Sequence, residues 1–260
     1  MSTDDTARLI QVVADRSARL AADFARTAAD RVVPTCPDWT AADLIGHLGG
    51  VQRFVTDLVT RQRRTMPDDH DLQAMFTTPD RADCAALIKW FDTGTAGVTA
   101  ALRGAPADLE TIVFLADPGP ARHYWARRQA HEATVHGVDM LAARLGRFPT
   151  TAEAAVERDL AVDGIDEFLC SFLPRPESTL HSDRPYRVAV EATDAPSRWT
   201  VRVSAEPPEV LRHPPDDDPV DLRLRGSAAD LYLSLWGRGG QVRTTGPAEL
   251  QAHWRAHTRV

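Results

Sequence analysis

The sequence predicts a chain of mixed class, α plus α/β: an N-terminal four-helix bundle followed by a smaller C-terminal α+β domain. In the first two thirds of the 260 residues, apolar side chains recur every three or four positions, as on one face of a helix. In the last third they alternate with polar side chains, as in half-buried strands. Prolines 174, 176 and 185 separate the two patterns. We therefore expect domains at 1–174 and 175–260.

Five helices are expected in the first domain, and glycine or proline marks most of their ends. The segment VVPTCPDW separates the first two, and Thr40 and Asp43 have the spacing of a helix N-cap pair. Residues 65–79 should form a polar loop, and residues 105–120 a loop with one extended piece. The helices are expected at about 6–30, 41–64, 80–103, 121–145 and 150–172.

The second domain should contain four strands and two helices. Ser227 is the expected N-cap of the first of these helices, and Pro247 occupies the first turn of the second. The strands are expected at 186–192, 199–205, 221–226 and 241–245, and the helices at 227–238 and 247–257.

Charge and composition exclude several classes of protein. The formal net charge is −7; residues 1–174 hold 18 basic and 25 acidic residues, and residues 175–260 hold 12 of each. Such a chain lacks the basic surplus of nucleic-acid-binding proteins. No apolar run approaches the roughly 20 residues of a membrane span, and no secretory signal is visible at the N-terminus. We expect neither a nucleic-acid nor a membrane partner.

Cysteine usage indicates the compartment. The three cysteines, Cys36, Cys84 and Cys170, are widely spaced and form no CxxC pair. An odd number at such spacing argues against a disulfide framework. The sequence therefore predicts a reduced, cytoplasmic protein.

The segment RRQAHEATVHGVD at 127–139 carries the strongest chemical signal. Glu132 and His136 are four residues apart on a predicted helix, so they project from one face and can approach a single metal ion. The HExxxH spacing turns His131 about 140° away from His136, which excludes the zincin motif HExxH. His47, inside the apolar stripe of the second helix, is the best candidate for a third ligand. Two histidines and one glutamate would leave the fourth zinc position open, as in catalytic sites.

Each of these residues also has an ordinary structural interpretation. A histidine on an apolar face is often a hydrogen-bonded core residue, and Glu132 could simply pair with Arg128 one turn away. Cys36 could bind zinc, pack in its turn or line a cavity. His253 and His257 are four apart on the last helix and are more simply explained as a solvated face.

Three segments resemble the mycothiol-dependent maleylpyruvate isomerase family. VPTCPDWTAADLIGHLGGVQRF at 33–54 resembles the family's V-P-x-C-P-x-W-x-x-x-D-L-x-x-H-L-G-G pattern, and HEATVHGVD resembles its second metal segment. VDLRLRGSAADLYLSLWGR at 220–238 is similar to its sterol-carrier-like C-terminal domain. The resemblance implies a DinB-like bundle, a bound zinc ion with His47, Glu132 and His136 as ligands, and mycothiol as the thiol cofactor.

The resemblance also implies an activity. Zinc would make the thiolate of mycothiol available at neutral pH. The thiolate would add to the double bond of maleylpyruvate, and elimination after rotation would give fumarylpyruvate. Arg225 and Arg238 are the candidates for gripping a carboxylate-bearing electrophile, because they frame the strand–helix unit that matches the family.

The same residues leave other functions open. A mycothiol S-transferase or a natural-product tailoring enzyme would use the same thiolate, and a non-catalytic protein could bind an apolar ligand in the same fold. The expected partners are a small-molecule substrate and a thiol cosubstrate, and the chain should be a monomer or a homodimer.

Overall fold

Four helices of 20 residues or more form most of the N-terminal part of the chain. The computed structural model describes residues 3–116, 118–215 and 218–258. The long helices are α1 (Thr3–Phe24), α2 (Ala41–Thr60), α4 (Cys84–Gly104) and α5 (Ala121–Leu145), and α3 (Asp69–Phe76) is a short helix between the second and third of them. The predicted helix at 121–145 agrees with α5 at both ends.

Local sequence explains where the site-bearing helices begin and end. The Thr40 hydroxyl accepts a hydrogen bond from the backbone N–H of Asp43 at 3.2 Å, and the Asp43 carboxylate accepts one from the backbone N–H of Thr40 at 2.9 Å. This capping box satisfies two backbone donors at the start of α2, as the sequence predicts. Helix α5 ends at Gly146, whose φ of 70° lies in the left-handed region that glycine adopts without steric cost.

The bundle is held together by an apolar core between these helices. α1 packs against α4 and α5, and α2 packs against the same two helices. Leu20, Phe24, Leu44, Leu48 and Phe91 are completely buried within one cluster. Burying each such side chain stabilises the fold by about 1.5–3 kcal/mol. The predicted four-helix bundle is therefore confirmed.

A two-stranded ribbon lies between α1 and α2. Strands β1 (Val32–Val33) and β2 (Cys36–Thr40) pair antiparallel, with Val33 opposite Cys36. The ribbon and α3 replace structure that the sequence predicts as irregular. The ribbon lies at the start of α2, and α3 lies beside its C-terminal half, with Phe76 at the end of α3 next to Gly50. Both contribute to the site described below.

The second unit is built on a five-stranded sheet. Its strands follow the order β5-β4-β3-β6-β7; β3 and β6 are parallel, and every other neighbouring pair is antiparallel. Helices α8 and α9 correspond to the two predicted helices, and Ser227 caps α8 as expected. The strands are β3 (Tyr186–Ala192), β4 (Arg198–Val203), β5 (Glu209–Arg212), β6 (Leu222–Gly226) and β7 (Arg243–Thr245), and the helices are α8 (Ala228–Leu235) and α9 (Ala248–His257). The predicted α+β class of this part is confirmed.

The division between the two units falls earlier than the expected boundary at 174/175. The first unit comprises Met1–Phe114 and Pro118–Phe148, and the second comprises Leu115–Asp117 and Pro149–Val260. The expected single helix at 150–172 is broken into α6 (Thr151–Ala154), α7 (Arg158–Glu167) and a π-helical turn at Phe168–Phe172. These pieces pack within the second unit.

Two contacts show the physical reason for that assignment. The Thr151 hydroxyl lies 2.5 Å from an Asp230 carboxylate oxygen of α8, and the Phe168 ring packs edge-on against Trp236 at 5.3 Å between centroids. Helical periodicity alone does not reveal which neighbour a helix packs against, so the sequence assigns this segment to the preceding bundle.

Candidate metal centre

Helix α2 places His47 at the edge of the bundle core. Its neighbours Leu44 and Leu48 are completely buried, whereas 33% of the His47 side chain is exposed. The imidazole therefore lies at the boundary between the buried core and solvent, where a ligand can reach it.

Helix α5 supplies the other two side chains of the predicted set. Glu132 and His136 lie one turn apart, and their side chains are 20% and 12% exposed. His131 is completely buried, as expected for a residue turned away from that face.

The three side chains converge on one point. The Glu132 Oε1 atom lies 3.4 Å from His47 Nε2 and 3.3 Å from His136 Nε2. All three potential ligand atoms lie within 4.8 Å of one another. The structure thus brings His47 of α2 together with Glu132 and His136 of α5, although His47 and Glu132 are 85 positions apart along the chain.

A buried carboxylate orients His136. The side chain of Asp139 is fully buried, and its Oδ2 accepts a hydrogen bond from His136 Nδ1 at 3.0 Å. Its Oδ1 accepts a second bond from the Thr35 hydroxyl at 2.6 Å, and the Cys36 thiol donates to Oδ2 at 3.7 Å. Holding the proton on Nδ1 leaves Nε2 of His136 directed at Glu132. Metal-binding histidines are commonly oriented in this way.

Glu132 is oriented by its second oxygen. Arg128 Nη2 donates to Glu132 Oε2 at 3.0 Å, while Oε1 faces the two histidines. The ion pair between Arg128 and Glu132, which the sequence offers as an ordinary explanation for Glu132, therefore forms together with the contacts to the histidines. Oε2 binds Arg128, and Oε1 faces His47 and His136.

Trp39 of strand β2 covers the two imidazoles. Its ring centroid lies 4.7 Å from that of His47 and 6.0 Å from that of His136. The two imidazoles are 5.1 Å apart and nearly perpendicular. The indole shields one side of the group from water.

The electrostatics favour an ionised carboxylate beside a protonated imidazole. Burial raises the pKa of Glu132, but hydrogen bonds with His136 and His47 and the charge of Arg128 hold that pKa well below its usual range. Burial lowers the pKa of His136, but hydrogen bonds to Asp139 and Glu132 raise it to about 9. Without a metal ion, the proton on His136 balances the carboxylate charge.

The donor set fits a divalent transition metal. Imidazole nitrogen and carboxylate oxygen are natural zinc ligands, and three protein ligands with partial exposure match the composition of catalytic zinc sites. The supporting carboxylate on His136 and the guanidinium on Glu132 supply the outer contacts that such sites need. His47, Glu132 and His136 could therefore hold zinc.

An open pocket of about 420 Å³ adjoins His47. Its walls include the aromatic rings of Trp39 and Phe76 and the polar side chains of Asp38, Asp43, Thr78 and Arg81. All of these residues belong to the first unit. A ligand in the pocket would touch one member of the metal-binding set.

A second group of three potential ligands lies on α3. Among the residues that the structure describes, Asp68, His70 and Asp71 also bring three donor atoms within 4.8 Å of one another. Asp68 and His70 are exposed, and Asp68 serves as the N-cap of α3. Asp71 forms an ion pair with Arg63 at 2.6 Å.

The other candidate residues, Arg225 and Arg238, lie on and after the sheet of the second unit. Arg225 is an exposed residue of β6 opposite Arg243 of β7, and Arg238 follows α8 and donates to the carbonyl of Trp236 at 2.6 Å. Both arginines belong to the second unit. Their role toward a substrate stays a prediction.

The cysteines and the two histidines of α9 were also considered as ligands in the sequence. Cys36 reaches Asp139 and is not among the three converging ligands. None of the three cysteines, all within the described residues, forms a disulfide. On α9, the rings of His253 and His257 lie 4.5 Å apart, and Tyr186 contacts His253 at 2.8 Å. Neither histidine belongs to a three-ligand group in the described part of the chain.

Sequence reasoning missed the roles of Thr35, Trp39 and Asp139. Asp139 lies on the same helical stripe as His136, and Thr35 and Trp39 lie in the VPTCPDW segment, so a signal exists for each. The contacts of Thr35 and Trp39 depend on the β1–β2 ribbon, which the sequence does not predict, whereas Asp139 reaches His136 within α5.

Comparison with known proteins identifies related folds. The structure matches the crystal structure of the mycothiol-dependent maleylpyruvate isomerase with a TM-score of 0.60 and 14% sequence identity, covering 92% of each chain. It matches a point mutant of the mycothiol-dependent maleylpyruvate isomerase with a TM-score of 0.62, at the same identity and coverage. At this identity the likeness shows a shared fold. No curated protein matches the chain significantly in sequence.

The sequence itself establishes the family. Residues 10–141 match the mycothiol maleylpyruvate isomerase N-terminal domain, and residues 159–253 match the C-terminal domain of the same family. The two matches occur in the family's order and together cover most of the chain. The resemblance noted in the sequence is confirmed, and the chain belongs to the mycothiol maleylpyruvate isomerase family, a family of enzymes.

Proposed function

We propose that the chain is a zinc-dependent enzyme that activates mycothiol for addition to an electrophilic substrate, with isomerisation of maleylpyruvate to fumarylpyruvate as its reaction. The observation that carries this proposal is the convergence of His47, Glu132 and His136 beside an open pocket. Family membership supports the thiol and the isomerase chemistry.

Zinc is the metal that the donor set favours. Two imidazoles and one carboxylate would hold it, and a bound zinc ion would supply a Lewis acid that lowers the pKa of the thiol to near neutrality. A thiolate, not a thiol, is the nucleophile that the reaction needs.

The protein's own residues prepare the site for that role. Asp139 holds Nδ1 of His136, so that Nε2 is the nitrogen presented to a ligand. Arg128 holds one oxygen of Glu132 and leaves the other beside the histidines. Trp39 excludes water from one side of both imidazoles. Each contact reduces the reorganisation needed when a ligand binds.

The isomerisation requires one covalent addition and its reversal. The thiolate sulfur supplies the electron pair of a new C–S bond to the double bond of maleylpyruvate, and the displaced π pair moves onto the conjugated carbonyl oxygen as an enolate. The former double bond is then single and can rotate. Return of the enolate pair re-forms the double bond in the trans geometry and expels the thiolate unchanged.

We assign the substrate carboxylates to arginine. Arg225 and Arg238 are the candidates, since guanidinium groups bind carboxylates through paired hydrogen bonds. Replacing either with alanine should raise the KM for maleylpyruvate and leave the zinc content unchanged. An unchanged KM in both variants would remove them from substrate binding.

The chain is proposed to work in the cytoplasm. Its three cysteines form no disulfide, which is consistent with a reducing compartment. In the part of the chain that the structure describes, no helix has the length and apolar character needed to cross a membrane.

Metal analysis and a thiol-dependent assay test the proposal together. Purified protein should contain about one zinc per chain, and maleylpyruvate absorbance should change only when mycothiol is added. A product that retains the thiol would indicate a transferase in place of an isomerase. Wild-type protein without stoichiometric metal, or without any thiol-dependent reaction on electrophiles, would contradict the proposal.

A further inference from the structure

One face of the sheet in the second unit carries a group of arginines. Arg225 of β6 lies directly opposite Arg243 of β7, and on its other side it lies opposite Glu191 of β3. Residues that oppose each other on neighbouring strands project to the same face of a sheet, with Cβ atoms about 5 Å apart. Arg223, two residues before Arg225 on β6, projects to that face as well. We call Glu191, Arg223, Arg225 and Arg243 the arginine cluster.

The two faces of this sheet differ in their surroundings. Leu222 and Leu224, which alternate with the arginines of β6, are buried, and β6 packs against α8. Arg225 and Arg243 project away from that core and are exposed. Their guanidinium groups are therefore accessible to an ion in solution.

The arginine cluster holds more positive charge than its own carboxylate balances. The Glu191 carboxylate is bound by Arg223. Among the residues that the structure describes, neither Arg225 nor Arg243 has an ion pair or a side-chain hydrogen bond. Three guanidinium groups and one carboxylate leave two positive charges side by side. Like charges directly opposite each other on neighbouring strands destabilise a sheet.

Other arginines on the same face have acidic partners. Arg202 of β4 pairs with Glu209 of β5 at 3.1 Å, and Arg187 of β3 pairs with Asp218. In each case the guanidinium charge is balanced by a carboxylate of the chain. Arg225 and Arg243 therefore differ from these arginines in charge balance and not in exposure.

Acidic side chains in the adjoining turns are engaged elsewhere. Asp194, which follows β3, accepts a hydrogen bond from the backbone N–H of Ala228 at 2.8 Å. Asp230 of α8 accepts one from the backbone N–H of Gln241 at 2.9 Å. These contacts hold both carboxylates beside the first turn of α8. An anion from solution is then the partner that would balance the two arginines.

We propose that Arg225 and Arg243 together bind a doubly charged oxyanion, of which phosphate is the simplest example. Each guanidinium presents paired N–H groups that match two oxygens of a phosphate or carboxylate group. Because the two arginines lie on neighbouring strands, one compact anion can accept hydrogen bonds from both, and two negative charges balance the pair. A phosphate group and the two carboxylates of maleylpyruvate share this chemistry. The site lies within the second unit and does not depend on the function proposed above.

Calorimetric titration of the zinc-loaded full chain with inorganic phosphate tests the site, at constant ionic strength and a pH at which phosphate is a dianion. Arg225→Gln and Arg243→Gln should each raise the Kd for phosphate at least about tenfold, since each removes charge-assisted hydrogen bonds. Arg202→Gln is the matched control, because it replaces an exposed arginine of the same face that is already paired with Glu209. This variant should bind phosphate as the wild type does.

Thermal unfolding in phosphate-free buffer gives an independent measurement. Arg243→Gln removes the repulsion between the two opposed guanidinium groups, so it should raise the Tm of the free protein. Phosphate should raise the Tm of the wild type more than that of Arg243→Gln, because only the wild type has the complete site. A lower Tm for phosphate-free Arg243→Gln would show that Arg243 stabilises the fold, and it would contradict the unbalanced charge that the proposal requires.

A competition experiment distinguishes the two sources of the anion. Maleylpyruvate is added, without thiol, to protein saturated with phosphate. Displacement of phosphate would identify the dicarboxylate as a ligand of Arg225 and Arg243. Phosphate binding that is unchanged by maleylpyruvate would identify a phosphate-bearing ligand.

Two results would overturn the assignment. Phosphate binding that survives both Arg225→Gln and Arg243→Gln would place the anion elsewhere, for example at the zinc ion. Wild-type protein that binds phosphate no more tightly than these variants would show that the two arginines form no site. Neither result concerns zinc content or the thiol-dependent reaction, so failure of this proposal is distinct from failure of the proposed function.

Discussion

Two groups of side chains in the first unit each bring three potential ligand atoms within 4.8 Å of one another, but they differ in burial and in the elements that supply them. His47, Glu132 and His136 come from two helices that pack against each other, and all three are partly buried. Asp68, His70 and Asp71 are neighbours at the start of α3, a helix with no buried residue. We call these the interhelical group and the α3 group.

The difference lies in how each ligand atom is supported. In the interhelical group, Asp139 orients His136 and Arg128 orients Glu132. In the α3 group, Asp68 is engaged as an N-cap and Asp71 is paired with Arg63. Proximity within the α3 group follows from helix geometry alone, whereas proximity within the interhelical group requires a specific tertiary contact. We therefore expect zinc at the interhelical group and none at the α3 group.

Removal of a ligand should have the largest effect. His136→Ala should abolish stoichiometric zinc binding. Loss of a residue that only supports a metal ligand typically reduces activity about 10- to 100-fold, and loss of His136 itself should reduce it further. His70→Ala, the matched change in the α3 group, should leave both unchanged. Elemental analysis and the thiol-dependent assay measure the two quantities. Loss of zinc in His70→Ala would show that the α3 group binds the metal.

Loss of the supporting carboxylate should have an intermediate effect. Asp139→Asn weakens the hydrogen bond that orients His136, so zinc should bind about 10- to 100-fold more weakly. Asp71→Asn removes a carboxylate that lies outside the interhelical group, and it provides the control. Competition with a zinc chelator gives both dissociation constants. Equal affinities in the two variants would show that Asp139 plays no part in positioning His136.

Zinc affinity should rise with pH. The pKa of His136 is about 9 in the metal-free protein, so a proton must leave Nε2 before zinc can bind. Below that pKa the proton competes with the metal, and affinity should rise about tenfold between pH 7 and pH 8. Calorimetry at pH 7 in buffers of different ionisation enthalpy should detect release of about one proton per zinc. Zinc uptake without proton release would contradict this expectation.

Loss of a helix N-cap should have the smallest effect. The change in the free energy of unfolding should differ between α2, which carries His47, and α3. Thr40→Ala removes the cap of α2, a core helix, and should lower the free energy of unfolding by about 1 kcal/mol. Asp68→Ala removes the cap of α3, which can fray without exposing the core, and should cost less than about 0.5 kcal/mol. Denaturant unfolding of both variants makes the measurement. A larger loss for Asp68→Ala would show that α3 supports the core.

Local signals in the sequence predicted much of the fold. The helix at 121–145, the strand at 186–192 and the Ser227 cap are all observed, because each depends on periodicity or capping chemistry within a few residues. The short elements α3, β1, β2 and β5 were missed. Each has eight residues or fewer and little buried surface, so its periodicity is weak.

The prediction of a single helix at 150–172 was wrong for a different reason. The break near Ala155, which has a φ of 47°, and the π-helical turn at Phe168–Phe172 divide a segment whose apolar pattern is continuous. Packing against α8 decides the path of this segment. A one-dimensional pattern contains no information about which surface a helix will cover.

The sequence alone determined that Glu132 and His136 share a helix face, since a spacing of four residues on an α-helix permits nothing else. Only the tertiary structure decided that His47 joins them, that Asp139 and Arg128 orient them, and that α3 closes a pocket beside them. The physical reason is that contacts between helices depend on how their surfaces pack in three dimensions, and residues 85 or more positions apart meet only when the whole bundle has formed.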